Sequence, residues 1–139
     1  GVLLANTTLQ ELTMQCLGAG PCCPLDDTMR EICAGLRGNR GLLSLDLSLS
    51  SLTETCFALL SDALQGAYSL ERLNLADTEL GAAGCVHLAH ALSRNPCMRH
   101  LDLSFNDIDE RGCALLCEGL KANSTLSSLA LHQNNVGAG

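Results

Sequence analysis

Residues 98–108 read Met98-Arg99-His100-Leu101-Asp102-Leu103-Ser104-Phe105-Asn106-Asp107-Ile108. Apolar side chains stand at the first, fourth and sixth positions, Asn at the ninth, and an apolar residue at the eleventh. Alternation of Leu101 and Leu103 places both on one face of a short strand, turned into a core. The Asn that follows can bond the backbone of a tight turn whose polar groups would otherwise be buried without partners.

The pattern spreads in both directions at one fixed step. It recurs toward the C-terminus as Leu126-Leu129-Leu131 with Asn134 and Val136, and toward the N-terminus as Leu70-Leu73-Leu75. One further equal step back gives Leu42-Leu45-Leu47, and Leu9-Leu12-Met14 stands one longer step before that. Ser50 with Leu52, and Thr78 with Leu80, replace the Asn by hydroxyls that can do part of its work. Between the strands runs a helical period. Met29, Ile32, Cys33 and Leu36 make one apolar stripe. Its columns return as Phe57, Leu60, Ser61 and Leu64, as Cys85, Leu88, Ala89 and Leu92, and as Cys113, Leu116, Cys117 and Leu120. Gly81, Gly84 and Gly112 mark helix starts, while Arg94-Asn95-Pro96 and Ala122-Asn123-Ser124-Thr125 mark exits.

Each unit is therefore one strand and one helix, with an apolar face that only a neighbour can cover, so the units must stack. The reading is an α/β solenoid, with a parallel β-sheet on the concave side and helices on the convex side. Residues 1–139 form a single domain with units at about 1–8 (partial), 9–41, 42–69, 70–97, 98–125 and 126–139 (partial). Both ends fall inside a unit without a polar cap, which leads us to expect a piece of a longer solenoid. The first unit carries five extra residues around Gly18-Ala19-Gly20-Pro21-Cys22-Cys23-Pro24, a loop by its Gly and Pro. It reads first as tolerated length variation and second as a partner contact.

Composition agrees. Hydrophobic residues make up 47% of 139, with one Tyr, two Phe and no Trp, so the core is aliphatic and layered. A net charge of −7 argues against nucleic acid, whose affinity rests on Lys and Arg, and suits a protein with a basic surface. No run reaches the ~18 apolar residues of a membrane span, and Gly1–Ala5 lacks the features of a signal peptide.

The nine cysteines are read from the repeat frame. Cys33, Cys85, Cys113 and Cys117 occupy helix stripes, where a thiol packs as a small apolar group. Adjacent helix axes about 8–10 Å apart are poorly placed for disulfides, which favours a reducing, cytoplasmic setting. Cys16 and Cys97 should be the most exposed thiols after the Cys22-Cys23 pair. Metal-ligand spacing, cofactor motifs and nucleophile elbows are missing. His87 and His90 read as solvated helix residues, and His100 and His132 as strand residues facing the concave side. The chain is read as non-enzymatic, with no cofactor.

Side chains between the core leucines face the concave surface. One column holds Thr13, Asp46, Asn74, Asp102 and Ala130; the next holds Glu11, Ser44, Arg72, His100 and Ser128. Past the third leucine come Ser48, Leu49, Ala76, Asp77, Ser104 and Phe105. The candidate partner-binding residues are Asp46, Leu49, Glu71, Arg72, Asn74, Asp77, Arg99, His100, Asp102, Phe105 and His132, with Leu49 and Phe105 as apolar anchors.

These units resemble the ribonuclease-inhibitor type of leucine-rich repeat, by the 28-residue period, the L-x-x-L-x-L-x-x-N-x-L pattern and the full helix. Gly112-Cys113-Ala114-Leu115-Leu116-Cys117-Glu118-Gly119-Leu120 and Leu52-Thr53-Glu54-Thr55-Cys56 are similar to helices of ribonuclease inhibitors and NOD-like receptors. The Ala-Asn-x-Thr-Leu junction resembles NOD-like receptors most. The chain lacks the 28/29 alternation of ribonuclease inhibitor, carries no recognisable GTPase-activating arginine motif, and contains no nucleotide-binding domain. The resemblance implies a protein-protein interaction module, a scaffold or sensor segment. The alternatives are a regulator of an enzyme, as nuclease inhibitor or GTPase activator, or a structural segment of a cytoskeletal or ciliary assembly.

Overall fold

The computed structural model describes residues 5–18 and 25–137. Cys22, Cys23 and most of the Gly-Pro loop lie outside these residues. Five three-residue strands alternate with four helices: β1 (Glu11–Thr13), α1 (Leu25–Gly38), β2 (Ser44–Asp46), α2 (Glu54–Leu64), β3 (Arg72–Asn74), α3 (Gly81–Arg94), β4 (His100–Asp102), α4 (Glu110–Lys121) and β5 (Ser128–Ala130). The strands make one parallel sheet in chain order.

The register follows the repeat. Leu12, Leu45, Leu73, Leu101 and Leu129 pair in sequence across the sheet. Leu47 and Leu75 donate their N–H to Asn74 and Asp102 carbonyls at 3.0 and 2.9 Å, so the ladder runs on past each short strand. Leu45, Leu47, Leu73, Leu75, Leu101 and Leu103 are buried against Met29, Phe57, Leu60, Leu88 and Leu116 from the helices. Burial of one such leucine contributes roughly 1.5–3 kcal/mol. The helices pack consecutively, α1 on α2, α2 on α3 and α3 on α4. Thr53 caps α2 by accepting from Cys56 N at 3.2 Å. Asp109 caps α4 by accepting from Gly112 N at 2.8 Å.

Two columns of small buried residues complete the helix faces, Cys56, Gly84 and Gly112 in one, Gly35, Ala63, Ala91 and Gly119 in the other. A methyl group on Gly119 would stand 2.4 Å from the Ala89 carbonyl oxygen. The apolar period, which counts large residues, passes over these columns although they set how closely helices approach.

The polar ladder forms as the repeat predicts. Asn106 accepts from Thr78 N, Thr78 Oγ1 and Leu80 N at 2.9–3.1 Å and donates to Leu75 and Ser104 carbonyls. Asn134 repeats this toward Asn106 N, Ile108 N and Leu103 O. Thr78 donates to Leu75 O, and Ser50 accepts from Leu17 N. A second ladder stands at the helix exits. Asn39, Asn95 and Asn123 each accept from two N–H groups at the following strand entry. Each also donates to the unit before, to the Asn6, Leu64 and Leu92 carbonyls. Ala67 interrupts it, and the Cys97 thiol there donates to the Ala67 and Leu70 carbonyls.

Several cysteine expectations need correction. Cys97 is half-buried through those two contacts. Cys117 is exposed and Cys113 half-buried. The Cys117 column faces the following helix, as the Ser61 hydroxyl does when it donates to His87 O at 2.7 Å. Among the described residues no helix follows α4. Cys16 is exposed, while Cys33, Cys56 and Cys85 are buried. Burial pushes the Cys33 and Cys85 thiols up to about 12.

Candidate functional site

The residues between the core leucines turn away from the helices and assemble by strand register. Thr13, Asp46, Asn74, Asp102 and Ala130 form one row, and Glu11, Ser44, Arg72, His100 and Ser128 the next. Together they line a shallow depression of about 380 Å³ that crosses all five strands.

The first row is stiffened by one repeated bond. Asp46, Asn74 and Asp102 each turn Oδ1 back to accept from the N–H two residues on, at 2.9 Å. This fixes the side-chain rotamer and leaves the second carboxylate oxygen of each Asp for the face. At Asp46 that oxygen accepts a long bond (3.4 Å) from Gln15 Nε2, whose amide also donates to Ser48 Oγ. In the second row Arg72 stands 3.6 Å from Glu11; with both side chains well exposed, the pair is weakly held. His100 is exposed between Arg72 and Ser128.

The remaining candidates lie around this floor. Glu71 and Arg99 precede their strands and do not line the depression; their carbonyls receive the sheet ladder from Arg99 N and Ser127 N. His132 falls two residues past β5, in a turn, because the strand ends at Ala130. Its carbonyl accepts from Phe105 N at 2.9 Å. Ser48 and Ser104 are buried and so leave the surface. Ser48 Oγ meets Gln15, whereas Ser104 Oγ has no partner among the described residues; Ala76 stands where Gln15 would.

Beyond the third leucine the chain turns through left-handed backbone. Cys16, Leu49, Asp77, Phe105 and Gln133, at equivalent positions, have φ of 60°, 57°, 54°, 59° and 52°. Only Asp77 is of a type enriched in this region and none is Gly or Asn, so the sequence gives little sign of it. Leu49 and Phe105 are 53% and 57% exposed. The row therefore holds two large apolar side chains in solvent, on backbone that an L-residue adopts at some cost. Glu79 and Asp107, two residues further on, share the conformation and add exposed carboxylates.

On the helical side a groove of about 440 Å³ is lined by Arg30, Leu59, Asp62, Gln65, His87 and His90. His87 Nε2 lies 3.5 Å from Glu54 Oε1, and His90 Nδ1 lies 3.3 Å from Gln65 Nε2. The two histidines thus look to different partners. Among the described residues no cluster of three His, Cys, Asp or Glu is arranged to hold a metal, and no helix is long and apolar enough to cross a membrane.

A family model described as Leucine Rich repeat matches residues 94–117, the end of α3 through β4 into α4. No curated protein matches the chain. Among solved structures, Leiomodin-1 Actin-Binding Site 2 superposes with a TM-score of 0.76 at 17% identity, over 94% of this chain and 75% of that one. The fold is a leucine-rich repeat solenoid.

Proposed function

We propose that the chain is a non-catalytic interaction segment, with units of the ribonuclease-inhibitor type, that binds a protein with a basic surface through its strand face. The observation that carries this reading is the floor of the depression. Asp46 and Asp102 stand two units apart in one row, each pinned through one oxygen with the other toward the depression, at Asp46 with Gln15 Nε2 3.4 Å away. Preset carboxylates attract cations without the entropic cost of ordering two long side chains. The helix groove has Asp62 as the one carboxylate of its lining, beside Arg30 and two histidines, whereas the strand side sets Glu11, Asp46 and Asp102 beside Arg72 and His100. The burial of Cys33, Cys56 and Cys85 as packing groups supports a reducing, cytoplasmic setting.

The test is retention of basic and acidic protein fractions on the immobilised chain, with and without Asp46→Asn plus Asp102→Asn. The reading expects a basic fraction to be held, and at least fivefold less of it by the double variant. Equal retention by both forms would remove the strand face from the claim. A second reading follows from the structural neighbour, Leiomodin-1 Actin-Binding Site 2: a segment of an actin-based assembly. Co-sedimentation with filamentous actin tests that reading.

A further inference from the structure

The left-handed row beside the depression points to the shape of the partner. Leu49, Asp77 and Phe105 occupy one position in three successive units, and all three are exposed. Their backbones are fixed across units: Leu49, Asp77 and Phe105 N donate to the carbonyls of Ala76, Ser104 and His132, each at 2.9 Å. The row thus presents apolar, acidic, apolar, in steps of about 4.8 Å, the spacing of neighbouring strands.

Only some segments can match that spacing. An extended strand puts same-face residues about 6.8 Å apart, and its residues i and i+3 point to opposite faces. It cannot set three side chains in a line at ~5 Å steps. A helix can, because its pitch is about 5.4 Å and residues i, i+3 or i+4, and i+7 share one face. The two ends of such a trio lie about 10.5 Å apart, against about 9.6 Å from Leu49 to Phe105. Charge selects the middle residue, since Asp77 is an exposed carboxylate, Glu79 and Asp107 stand two residues past Asp77 and Phe105 on the same turns, and a cation is its complement.

We infer that Leu49, Asp77 and Phe105 form a docking row for an amphipathic partner helix that carries an apolar residue, Lys or Arg, and an apolar residue at one-turn intervals. The helix lies across the strands, one turn per unit. This inference rests on the strand-face reading above and adds to it the partner's secondary structure and its spacing.

The probes are alanine-based helical peptides with Leu at i and i+7 and either Arg or Glu at i+3, titrated by fluorescence anisotropy against the 139-residue chain. The Leu-Arg-Leu peptide should bind at least tenfold more tightly than Leu-Glu-Leu. Leu49→Gly and Phe105→Gly should each weaken it at least fivefold. Both variants place glycine on backbone that glycine adopts freely, so the fold survives them. Asp77→Asn should weaken Leu-Arg-Leu about threefold and flatten its salt dependence. No binding by either peptide, equal binding by both, or indifference to the glycine variants would overturn the docking row. If the glycine variants still retain the basic protein fraction while Asp46→Asn plus Asp102→Asn loses it, the strand-face reading stands and the helix falls. Loss in neither sinks both.

Discussion

Two rows of residues cross this solenoid side by side, one position apart in the chain, and they differ in almost every physical respect. Ser50, Thr78 and Asn106 are buried and hydrogen-bonded, and Asn134 continues their row half-buried. Leu49, Asp77, Phe105 and Gln133, each one residue earlier, are exposed and in left-handed backbone. The inner row closes the turns, and its residue types follow from buried carbonyl and N–H groups that must be paired. The outer row has no such duty. Gly or Asn would fit its backbone best, yet it carries Leu and Phe in solvent. Residues that neither pack nor ease the turn are the ones most available to a partner.

The comparison breaks most sharply at Asn106. Asn106→Ala leaves the N–H groups of Thr78 and Leu80 without their acceptor inside the core, while the Leu75 carbonyl keeps only the Thr78 hydroxyl. A loss of about 3–5 kcal/mol is expected in urea unfolding. A loss below about 1 kcal/mol would mean that the inner row does not hold the turns. The next contrast is chemical. Cys16 belongs to the outer row and is exposed, whereas Cys33 and Cys85 are buried. At pH 8 in native buffer, iodoacetamide should modify Cys16 roughly a hundredfold faster than Cys33 or Cys85, read by peptide mass spectrometry. The folded chain holds the last two protonated up to about 12, while free thiols ionise near 9. Their contribution to stability is therefore full below pH 9 and is lost as pH climbs from there toward 12.

Smaller effects sharpen the contrast. Thr78→Asn restores the repeat's own residue to the inner row and should raise stability by about 1 kcal/mol through amide contacts like those of Asn106. Phe105→Gly in the outer row should leave stability within about 1 kcal/mol, on the stabilising side, because relief of left-handed strain offsets the added freedom of the unfolded chain. Phe105→Val, β-branched on the same backbone, should instead lose about 1 kcal/mol. Thermal melts distinguish the two signs.

The inner row and the strands were legible because large apolar residues and Asn recur at a fixed period. Leu45, Leu73 and Leu101 pair as their spacing requires, and the Asp46–Asn74–Asp102 row follows from the same register. What escaped was carried by small residues or by backbone. Gly119 and Ala91 set helix approach yet leave no mark in an apolar period. The helix-exit ladder of Asn39, Asn95 and Asn123 stood in the junction segments and was hidden by its gap at Ala67. The left-handed row carries no Gly or Asn, so little turn signal announced it. His132 was misplaced because a repeat frame does not say where a strand stops.

The central claim is that the strand side of the solenoid, and not its helical side, binds a protein. One measurement addresses it directly. The immobilised chain is compared with two charge variants in quantitative recovery of a bound basic protein fraction. One variant carries Asp46→Asn and Asp102→Asn in the depression; the other carries Asp62→Asn and Glu54→Gln on α2. Recovery should fall at least fivefold for the strand-side variant and stay within twofold for the helix-side variant. The reverse pattern would contradict the account.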